Sequence, residues 1–394
     1  MTLASLDWKT PSREQFLARY WQRQPLVWRQ ALPGYRSPIN PADLQQLACQ
    51  DEADARLVVH QPHSEPVWGV HHGPFEPEDF SALPRRGWTL LVQAVDAWVP
   101  EVAELLGAFD FLPSWRLDDI MVSYAAEGGG VGPHTDQYDV FLLQAAGQRR
   151  WRFGTTADAN LAIRADLDLR ILAEFNPTEE AVLQPGDTLY LPPGVAHDGV
   201  ALDDDCLTFS IGFRAPSVAD LAARFADTVL EEAEKLADAV PRYGDRGISE
   251  PEDPTLIDGQ AICQMSDLLK SALKDPTILA RTIGGLGTEP RLAPTPADEP
   301  VGPSEIQARL ESGDTLVKAL GSRWAHLNQA NGSLLCVSGE CWALDAKLSA
   351  ALCRNKSIDI AIVEPWMDNP ALMQLLADLY ERGDLAWHSE HTAD

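Results

Sequence analysis

Two short segments constrain the fold and chemistry of this chain more than any others. The first, GGGVGPHTDQYDVF (128–141), places His134 and Asp136 two positions apart. Side chains at i and i+2 of a strand point to the same face, so both groups can converge on one point. The second, PGDTLYLPPGVAH (185–197), presents His197 after a turn, a short apolar strand and a bend. Two imidazoles and one carboxylate on one side of a metal are typical of non-haem iron sites, so we predict that these three residues are the metal ligands of a catalytic centre.

The strand after the first segment carries a cation where an apolar side chain is expected. In QRRWRF (148–153), alternation puts Arg149 on the same face as Trp151 and Phe153, and that face should point into the sheet interior. A buried guanidinium without an anionic partner is too costly, so Arg149 needs a carboxylate. That carboxylate belongs either to an internal Asp or Glu, or to a ligand held by two parallel hydrogen bonds. The nearby metal triad favours the ligand.

From residue 119 onward the pattern is that of a β domain. Strand-like runs cover residues 120–124, 140–144, 148–153, 188–191 and 206–214. The four glycines between 128 and 132 precede a strand and not a helix, so they do not form a dinucleotide-binding loop. We expect them instead to keep the mouth of the metal site open for a bulky substrate. Residues 155–180 form a polar, acidic insertion, which we predict to be a loop with some helix.

After Pro216 the composition changes to that of helices. Residues 217–240 and 258–280 predict a helical region, and a linker rich in Pro and Gly follows at 284–303. The last region combines predicted helices at 303–310 and 370–381 with predicted strands at 334–337 and 361–363, a pattern that indicates a winged-helix-like module. We therefore expect three parts: a mostly β catalytic domain (1–215), an α-helical region (216–290) and a small α+β domain (291–394).

The net charge and the cysteines limit which cellular compartment and which binding partners we expect for this chain. The formal net charge of −28 repels nucleic acid and anionic membranes and favours a basic partner, although solubility alone also explains it. The winged-helix-like module has no basic stripe, so we expect no direct nucleic-acid binding. The chain shows neither a secretory signal nor an apolar run that could span a bilayer. Six cysteines without a CxxC pair suit a reducing compartment, each as a small buried side chain, so we expect a cytoplasmic protein with no membrane association.

Several of these motifs together resemble a known family. They are the stretch from Trp21 to Pro25, GGGVGPHTDQYDVF, GQRRWRFG, PGDTLYLPPGVAH and the strand ending in SIGFRAP. This set is similar to the bacterial ribosomal oxygenases of the Jumonji-C (JmjC) class, densely over residues 12–216. Beyond residue 216 only the layout matches. The resemblance implies a double-stranded β-helix of the cupin type, followed by an α-helical dimerisation region and a winged-helix domain.

The resemblance also implies roles for individual residues. The three predicted ligands would bind Fe(II), and Arg149 would bind the distal carboxylate of 2-oxoglutarate. Ser123 joins this cosubstrate pocket by resemblance alone, because nothing in the residue pattern singles it out. Gln137 and Tyr138, just past the first two ligands, are candidate substrate contacts.

The expected function is that of an Fe(II)- and 2-oxoglutarate-dependent dioxygenase. With O2 as the other cosubstrate, such an enzyme would hydroxylate a side chain of a basic large-subunit ribosomal protein, and the resemblance indicates arginine at its β-carbon. Three alternatives stay open: a related hydroxylase acting on histidine, a metal cupin of another reaction class, and a binding module that kept the fold. The resemblance also implies that the protein is a homodimer.

Overall fold

Apolar strands with both faces covered build the first half of the chain. In the computed structural model, residues 1–215 form one unit and residues 216–394 form a second. The structure describes residues 5–61, 67–157, 162–164, 169–236, 241–246, 249–250, 252–330 and 332–388.

The described residues of the first unit form eleven strands and four short α-helices. The strands are β1 (Leu26–Trp28), β2 (Ala55–His60), β3 (Trp68–His72), β4 (Trp88–Val92), β5 (Leu117–Ala125), β6 (Val140–Ala146), β7 (Arg149–Phe153), β8 (Glu179–Leu183), β9 (Thr188–Leu191), β10 (His197–Ala201) and β11 (Cys206–Phe213). The helices are α1 (Arg13–Arg19), α2 (Pro41–Leu47), α3 (Pro77–Ser81) and α4 (Pro100–Ala103).

Two sheets pack face to face in this unit. The larger has the strand order β1-β9-β6-β11-β5-β4-β2-β3, and the smaller has the order β10-β7-β8. Apolar residues such as Val140, Trp151 and Leu189 form a core cluster between the sheets. A larger cluster, which includes Phe16 and Phe141, covers the other face of the larger sheet. Strand β11 lies inside the larger sheet and is therefore buried at all eight positions.

The first two predicted ligands do not lie on a regular strand, so that part of the prediction was wrong. His134 forms a single antiparallel bridge with His197, and Asp136 lies in the loop before β6. The loop runs along the free edge of β10 and is bonded to it near Gly129 and at His134. Between these points six loop residues (129–134) lie opposite the five residues of β10, so a regular ladder cannot form.

Two of the four glycines of this loop, Gly129 and Gly130, allow close packing, whereas the sequence analysis had expected them to keep the mouth of the site open. A Cβ atom at Gly129 would overlap the carbonyl oxygen of Trp88, and one at Gly130 would overlap that of Gly199. The missing side chains therefore let the loop lie directly against the backbones of β4 and β10.

The described residues of the 155–180 insertion contain no helix, and the rest of the insertion, residues 158–161 and 165–168, lies outside the described residues, so the helix expected in it stays a prediction. Ile163 and Leu172 form an isolated bridge, and the N–H of Leu172 donates to the carbonyl of Pro133 at 2.8 Å. These bonds satisfy the backbone in an extended form. They hold the insertion against the loop of residues 126–139, which carries His134 and Asp136 and is called the ligand loop below. Strand β8, which the sequence analysis did not predict, begins at Glu179.

The described residues of the second unit form seven α-helices and six strands. The helices are α5 (Val218–Leu236), α6 (Gly259–Lys274), α7 (Pro276–Thr288), α8 (Pro303–Glu311), α9 (Ala346–Arg354), α10 (Ile360–Val363) and α11 (Pro370–Glu381). The strands are β12 (Leu316–Lys318), β13 (Trp324–Gln329), β14 (Gly332–Val337), β15 (Glu340–Leu344), β16 (Ser357–Ile358) and β17 (Leu385–Trp387), in two sheets with the orders β16-β12-β17 and β13-β14-β15. Among the described helices, none has the length and apolar character that crossing a bilayer requires.

Two local predictions in this unit were wrong. The linker was placed from residue 284, yet α7 continues to Thr288. A glycine stands inside this helix at position 284 because α7 packs tightly on the β13–β15 sheet. A Cβ atom at Gly284 would overlap the sulfur of Cys336. Residues 361–363 were predicted as a strand but belong to α10, which begins because the carboxylate of Asp359 accepts the N–H of Ile362 at 3.1 Å.

The expectation of six free, buried cysteines was also wrong. Cys336 and Cys341 face each other across the β14–β15 hairpin and form a disulfide. Cys263 is exposed on α6. The described free cysteines besides it are Cys49, Cys206 and Cys353.

A buried carboxylate ties the ligand loop to the rest of the first unit. Asp139 is fully buried and accepts hydrogen bonds from the Tyr190 hydroxyl at 2.6 Å, from Gln22 Nε2 at 2.9 Å and from Arg116 Nη2 at 3.1 Å. Burial, and then the charge of Asp139, raise the pKa of Tyr190, so its hydroxyl keeps the proton that it donates. The loop before β6 is thereby fixed to β9 and to the N-terminal segment.

This network predicts a large stability difference between two carboxylates. Asp139→Ala leaves the guanidinium of Arg116 without its buried partner and should lower the free energy of unfolding by about 3–5 kcal/mol. Asp110→Ala removes an exposed pair with Arg13 and should cost less than about 1 kcal/mol. Urea unfolding followed by fluorescence measures both. Equal losses in the two variants would contradict the structural role given to Asp139.

Candidate metal centre

The backbone brings the three predicted ligands together. His134 N–H donates to the carbonyl of His197 at 3.0 Å, and His197 N–H donates back to that of His134 at 2.9 Å. Gly194 N–H donates to the carbonyl of Asp136 at 2.7 Å. The loop before β6 and the bend before β10 are therefore joined at each ligand, although they are far apart in the sequence.

The side chains of the three residues converge on one point. Asp136 Oδ1 lies 4.0 Å from His134 Nε2, and Asp136 Oδ2 lies 3.5 Å from His197 Nε2. One donor atom from each residue lies within 4.8 Å of the other two, and this is the cluster of metal-binding groups found among the described residues. Two imidazole nitrogens and a carboxylate oxygen are a donor set that Fe(II) accepts, so the residues fit the predicted metal.

Hydrogen bonds to the far side of each imidazole fix which nitrogen faces the centre. His134 Nδ1 lies 2.9 Å from the carbonyl oxygen of Gly132, and His197 Nδ1 lies 3.0 Å from that of Val195. A carbonyl oxygen only accepts, so each Nδ1 carries the proton and each Nε2 offers a lone pair. This arrangement orients metal-binding histidines and raises their basicity.

The environment keeps His197 neutral. Its side chain is 2% exposed, and burial, followed by the nearby His134, lowers the pKa of His197 to about 4. A neutral imidazole is the form that binds a metal, so His197 stays ready for ligation well below neutral pH.

A cavity of about 400 Å³ opens on the cluster and contains most of the predicted site residues. It is lined by all three predicted ligands and by Ser123, Arg149 and Tyr138. Ser123 is buried, with its hydroxyl 3.5 Å from the carbonyl of Thr208, and Tyr138 is 41% exposed at the edge. Gln137 is exposed and does not line the cavity.

Arg149 provides an unneutralised cation in this cavity. Strand β7 is buried at alternate positions, as the sequence predicted, and Arg149 is 3% exposed. Its Nη2 has no hydrogen-bond partner, and no carboxylate among the described residues pairs with its guanidinium. An internal Asp or Glu is therefore not its partner in the described part of the chain. The cavity can accept a ligand carboxylate at this point.

Three buried polar residues near Arg149 were missed by the sequence analysis. They are Gln144 on β6 and Cys206 and Thr208 on β11, each at most 1% exposed. Their signal was a polar side chain inside a strand that is otherwise apolar, as in VFLLQAA and CLTFSIGF. Such residues need hydrogen-bond partners, which the sequence cannot identify before the pairing of β6 with β11 is known.

Comparisons with known proteins agree with the fold and the cluster. Residues 104–221 match the family described as JmjC domain, and residues 270–386 match the ROXA-like winged helix. The fold and the His–Asp–His cluster therefore define a JmjC-type oxygenase.

Individual relatives indicate which group of JmjC-type oxygenases this chain is similar to. The chain is 35% identical over 376 residues to the ribosomal protein uL16 3-hydroxylase of Escherichia coli, covering 93% of this chain and 95% of the relative. It is 43% identical over 223 residues to a probable ribosomal oxygenase of Haemophilus influenzae, covering 56% and 54%. The solved structure of YcfD, a ribosomal oxygenase from Escherichia coli, in complex with cobalt and 2-oxoglutarate matches with a TM-score of 0.82 at 33% identity, covering 98% of this chain and 99% of that one.

This chain belongs to the family of bacterial JmjC ribosomal oxygenases. The resemblance inferred from the motifs is thereby confirmed. The predicted fold class is confirmed too: a mostly β JmjC domain of the cupin type, then helices, then a winged helix.

The buried His197 predicts a pH dependence of stability. Its pKa is about 6.5 unfolded and about 4 folded, so the unfolded chain binds a proton that the folded chain does not. Above pH 6.5 neither state binds it, and stability falls as the pH drops from 6.5 towards 4, by about 3 kcal/mol in all. Urea unfolding of the metal-free protein at several pH values measures this slope. His197→Gln should remove that part of the slope, and identical slopes in the two proteins would show that His197 is not the group responsible.

Proposed function

We propose that this chain hydroxylates a side chain of ribosomal protein uL16, using Fe(II), 2-oxoglutarate and O2. The relative with 35% identity over nearly its full length bears the name of a uL16 3-hydroxylase, and we propose arginine, at its β-carbon, as the target. One observation carries the chemistry: a His–Asp–His cluster and a buried cation without a partner line the same cavity.

His134, Asp136 and His197 would hold the iron. Each imidazole offers Nε2 because Nδ1 is bonded to a carbonyl, and Asp136 offers one carboxylate oxygen. When bound, Fe(II) and 2-oxoglutarate supply the oxidising chemistry, in which O2 and the oxo acid are converted to succinate and CO2 while one C–H bond becomes C–OH. The protein's task is to fix the three ligands on one side, so that the opposite side stays open to the cosubstrates.

Arg149 and Ser123 would bind the cosubstrate. No carboxylate among the described residues pairs with the guanidinium of Arg149, so its charge would be available to the distal carboxylate of 2-oxoglutarate. Ser123 lines the same cavity and can donate its hydroxyl proton to the same group. A metal cupin that uses no oxo acid would leave Arg149 buried without a counter-ion, which disfavours that alternative.

The substrate would approach the exposed edge of the cavity, where Tyr138 lies. The net charge of −28 would attract a basic ribosomal protein, and Gln137 beside Tyr138 is exposed and free to meet it. Since ribosomal proteins are assembled in the cytoplasm, we propose that the enzyme acts there. Residues 1–215 would form the catalytic domain, 216–290 the helical region and 291–394 the winged-helix domain.

We also propose that the protein is a homodimer. On α6 four apolar side chains, those of Ile262, Met265, Leu269 and Leu273, are 59, 44, 64 and 50% exposed. Their spacing of three and four residues puts them on one helical face. A continuous apolar stripe of this kind marks an interface, and a second copy offers a matching stripe.

The proposed reaction is tested by mass spectrometry of uL16 incubated with the enzyme, Fe(II) and 2-oxoglutarate. We expect one added oxygen on an arginine, with succinate released in equal amount. Asp136→Ala removes one of three ligands and should abolish both products and the binding of Fe(II) by the folded protein. Oxygen added to a histidine would favour the other hydroxylase, and full turnover by Asp136→Ala would refute the ligand assignment.

The cosubstrate anchor is tested by Arg149→Gln. Loss of a charge-assisted hydrogen bond should raise the 2-oxoglutarate concentration for half-maximal turnover roughly 10- to 100-fold. Arg150→Gln, one position along β7 on the opposite face, is the matched control and should change it little. An equal half-maximal concentration of 2-oxoglutarate in wild type and Arg149→Gln would show that Arg149 does not bind the cosubstrate.

The dimer is tested by light scattering during gel filtration. The double variant Ile262→Glu with Leu269→Glu places charges in the apolar stripe of α6 and should give a monomer. Lys270→Glu changes an exposed residue beside the stripe and should leave the dimer intact. A wild-type protein that is monomeric at micromolar concentration would contradict the proposal.

A further inference from the structure

The guanidinium of Arg149 is held by a sulfur atom. Arg149 Nε donates to Cys206 Sγ at 3.4 Å, and the guanidinium lies 5.6 Å from the ring centroid of Trp151. A thiol is neutral and only a weak acceptor, and an aromatic face carries no net charge. Both contacts direct the side chain without neutralising it, so Nη2 keeps its hydrogen-bonding capacity for a ligand.

The sulfur is itself held in place by a second donor. Gln144 Nε2 lies 3.5 Å from Cys206 Sγ and 2.6 Å from the carbonyl oxygen of Ala146, while Gln144 Oε1 accepts from the Thr208 hydroxyl at 3.1 Å. Both ends of the Gln144 amide are therefore used, which fixes the orientation of its plane. Thr208 also lines the cavity, so this chain of hydrogen bonds runs from the cavity wall to the guanidinium.

Small residues leave room for the arginine. Ala201 lies directly opposite Arg149 in the pairing of β10 with β7, and Ala201, Ala125 and Cys206 form one buried cluster. A larger side chain at position 206 would displace the guanidinium that lies against the sulfur, and a carboxylate there would pair with it. The cysteine avoids both effects.

We propose that Cys206 and Gln144 are positioning residues that aim Arg149 at the distal carboxylate of 2-oxoglutarate and keep its charge free for that ligand. The proposal rests on the proposed function, because it deepens the role given there to Arg149. In this proposal the two residues support the selectivity that Arg149 provides for an oxo acid with a second carboxylate. The neutral contacts matter as much as the geometry, because an internal counter-ion would satisfy Arg149 before the ligand arrives.

The test measures the binding of two oxo acids by calorimetry without oxygen, with Co(II) in place of Fe(II). 2-Oxoglutarate carries the distal carboxylate, and 2-oxopentanoate lacks it. Wild type should prefer 2-oxoglutarate roughly 10- to 100-fold. Cys206→Asp should reduce this preference to less than about threefold, because the new carboxylate pairs with Arg149.

Milder variants test the geometry. Cys206→Ala and Gln144→Met should raise the dissociation constant for 2-oxoglutarate about 2- to 10-fold, the effect of one weak hydrogen bond, and leave that for 2-oxopentanoate unchanged. Cys206→Ser keeps an acceptor and should restore most of the preference. Cys49→Ala removes another free thiol of the same unit and should change neither constant. A general loss of stability would weaken both ligands equally, so the ratio separates positioning from folding.

The outcomes distinguish the role of Arg149 as cosubstrate anchor from the positioning role of Cys206 and Gln144. If Arg149→Gln leaves the preference for 2-oxoglutarate intact, the proposed cosubstrate anchor fails. If Arg149→Gln abolishes the preference while Cys206→Asp, Cys206→Ala and Gln144→Met all keep it, the anchor stands and the positioning role of Cys206 and Gln144 is overturned.

Discussion

The antiparallel bridge between His134 and His197 is the interaction on which the site depends. Two backbone hydrogen bonds join residues from distant parts of the sequence, and a third joins Gly194 to Asp136. The sheets on either side are ordered by burial of apolar surface, so folding, and not a bound metal, meets the entropic cost of bringing the three side chains together. The carbonyl group behind each imidazole then fixes the orientation of the ring, so that Nε2 faces the centre of the cluster.

The net charge of the chain and the charge inside its cavity have opposite signs. The chain carries a net charge of −28, yet its central cavity contains a cation that no described carboxylate neutralises. The His–Asp–His cluster and Arg149 line the same cavity, so a metal held by the cluster would act together with this cation on a ligand that carries two carboxylates. The same arrangement explains why neutral neighbours, a thiol and an indole, surround the guanidinium: a charged neighbour would compete with the ligand.

The sequence predicted the parts of the site that follow from local periodicity. Alternation in QRRWRF placed Arg149 inside correctly, because a five-residue strand has only two faces. Local pattern failed where long-range packing decides. The backbone of the ligand loop is irregular because it must match the edge of β10, and its glycines allow contact with β4 and β10, neither of which was visible in the sequence. Gln144 and Cys206 could not be connected to Arg149 until β6, β7 and β11 had been assembled.

The most direct measurement is a crystal structure of the protein grown without oxygen in the presence of Mn(II) and 2-oxoglutarate. The account predicts one metal ion bound by Nε2 of His134, Nε2 of His197 and a carboxylate oxygen of Asp136. It also predicts that the distal carboxylate of 2-oxoglutarate contacts Nη2 of Arg149. A metal bound by other residues, or a 2-oxoglutarate whose distal carboxylate points away from Arg149, would contradict it.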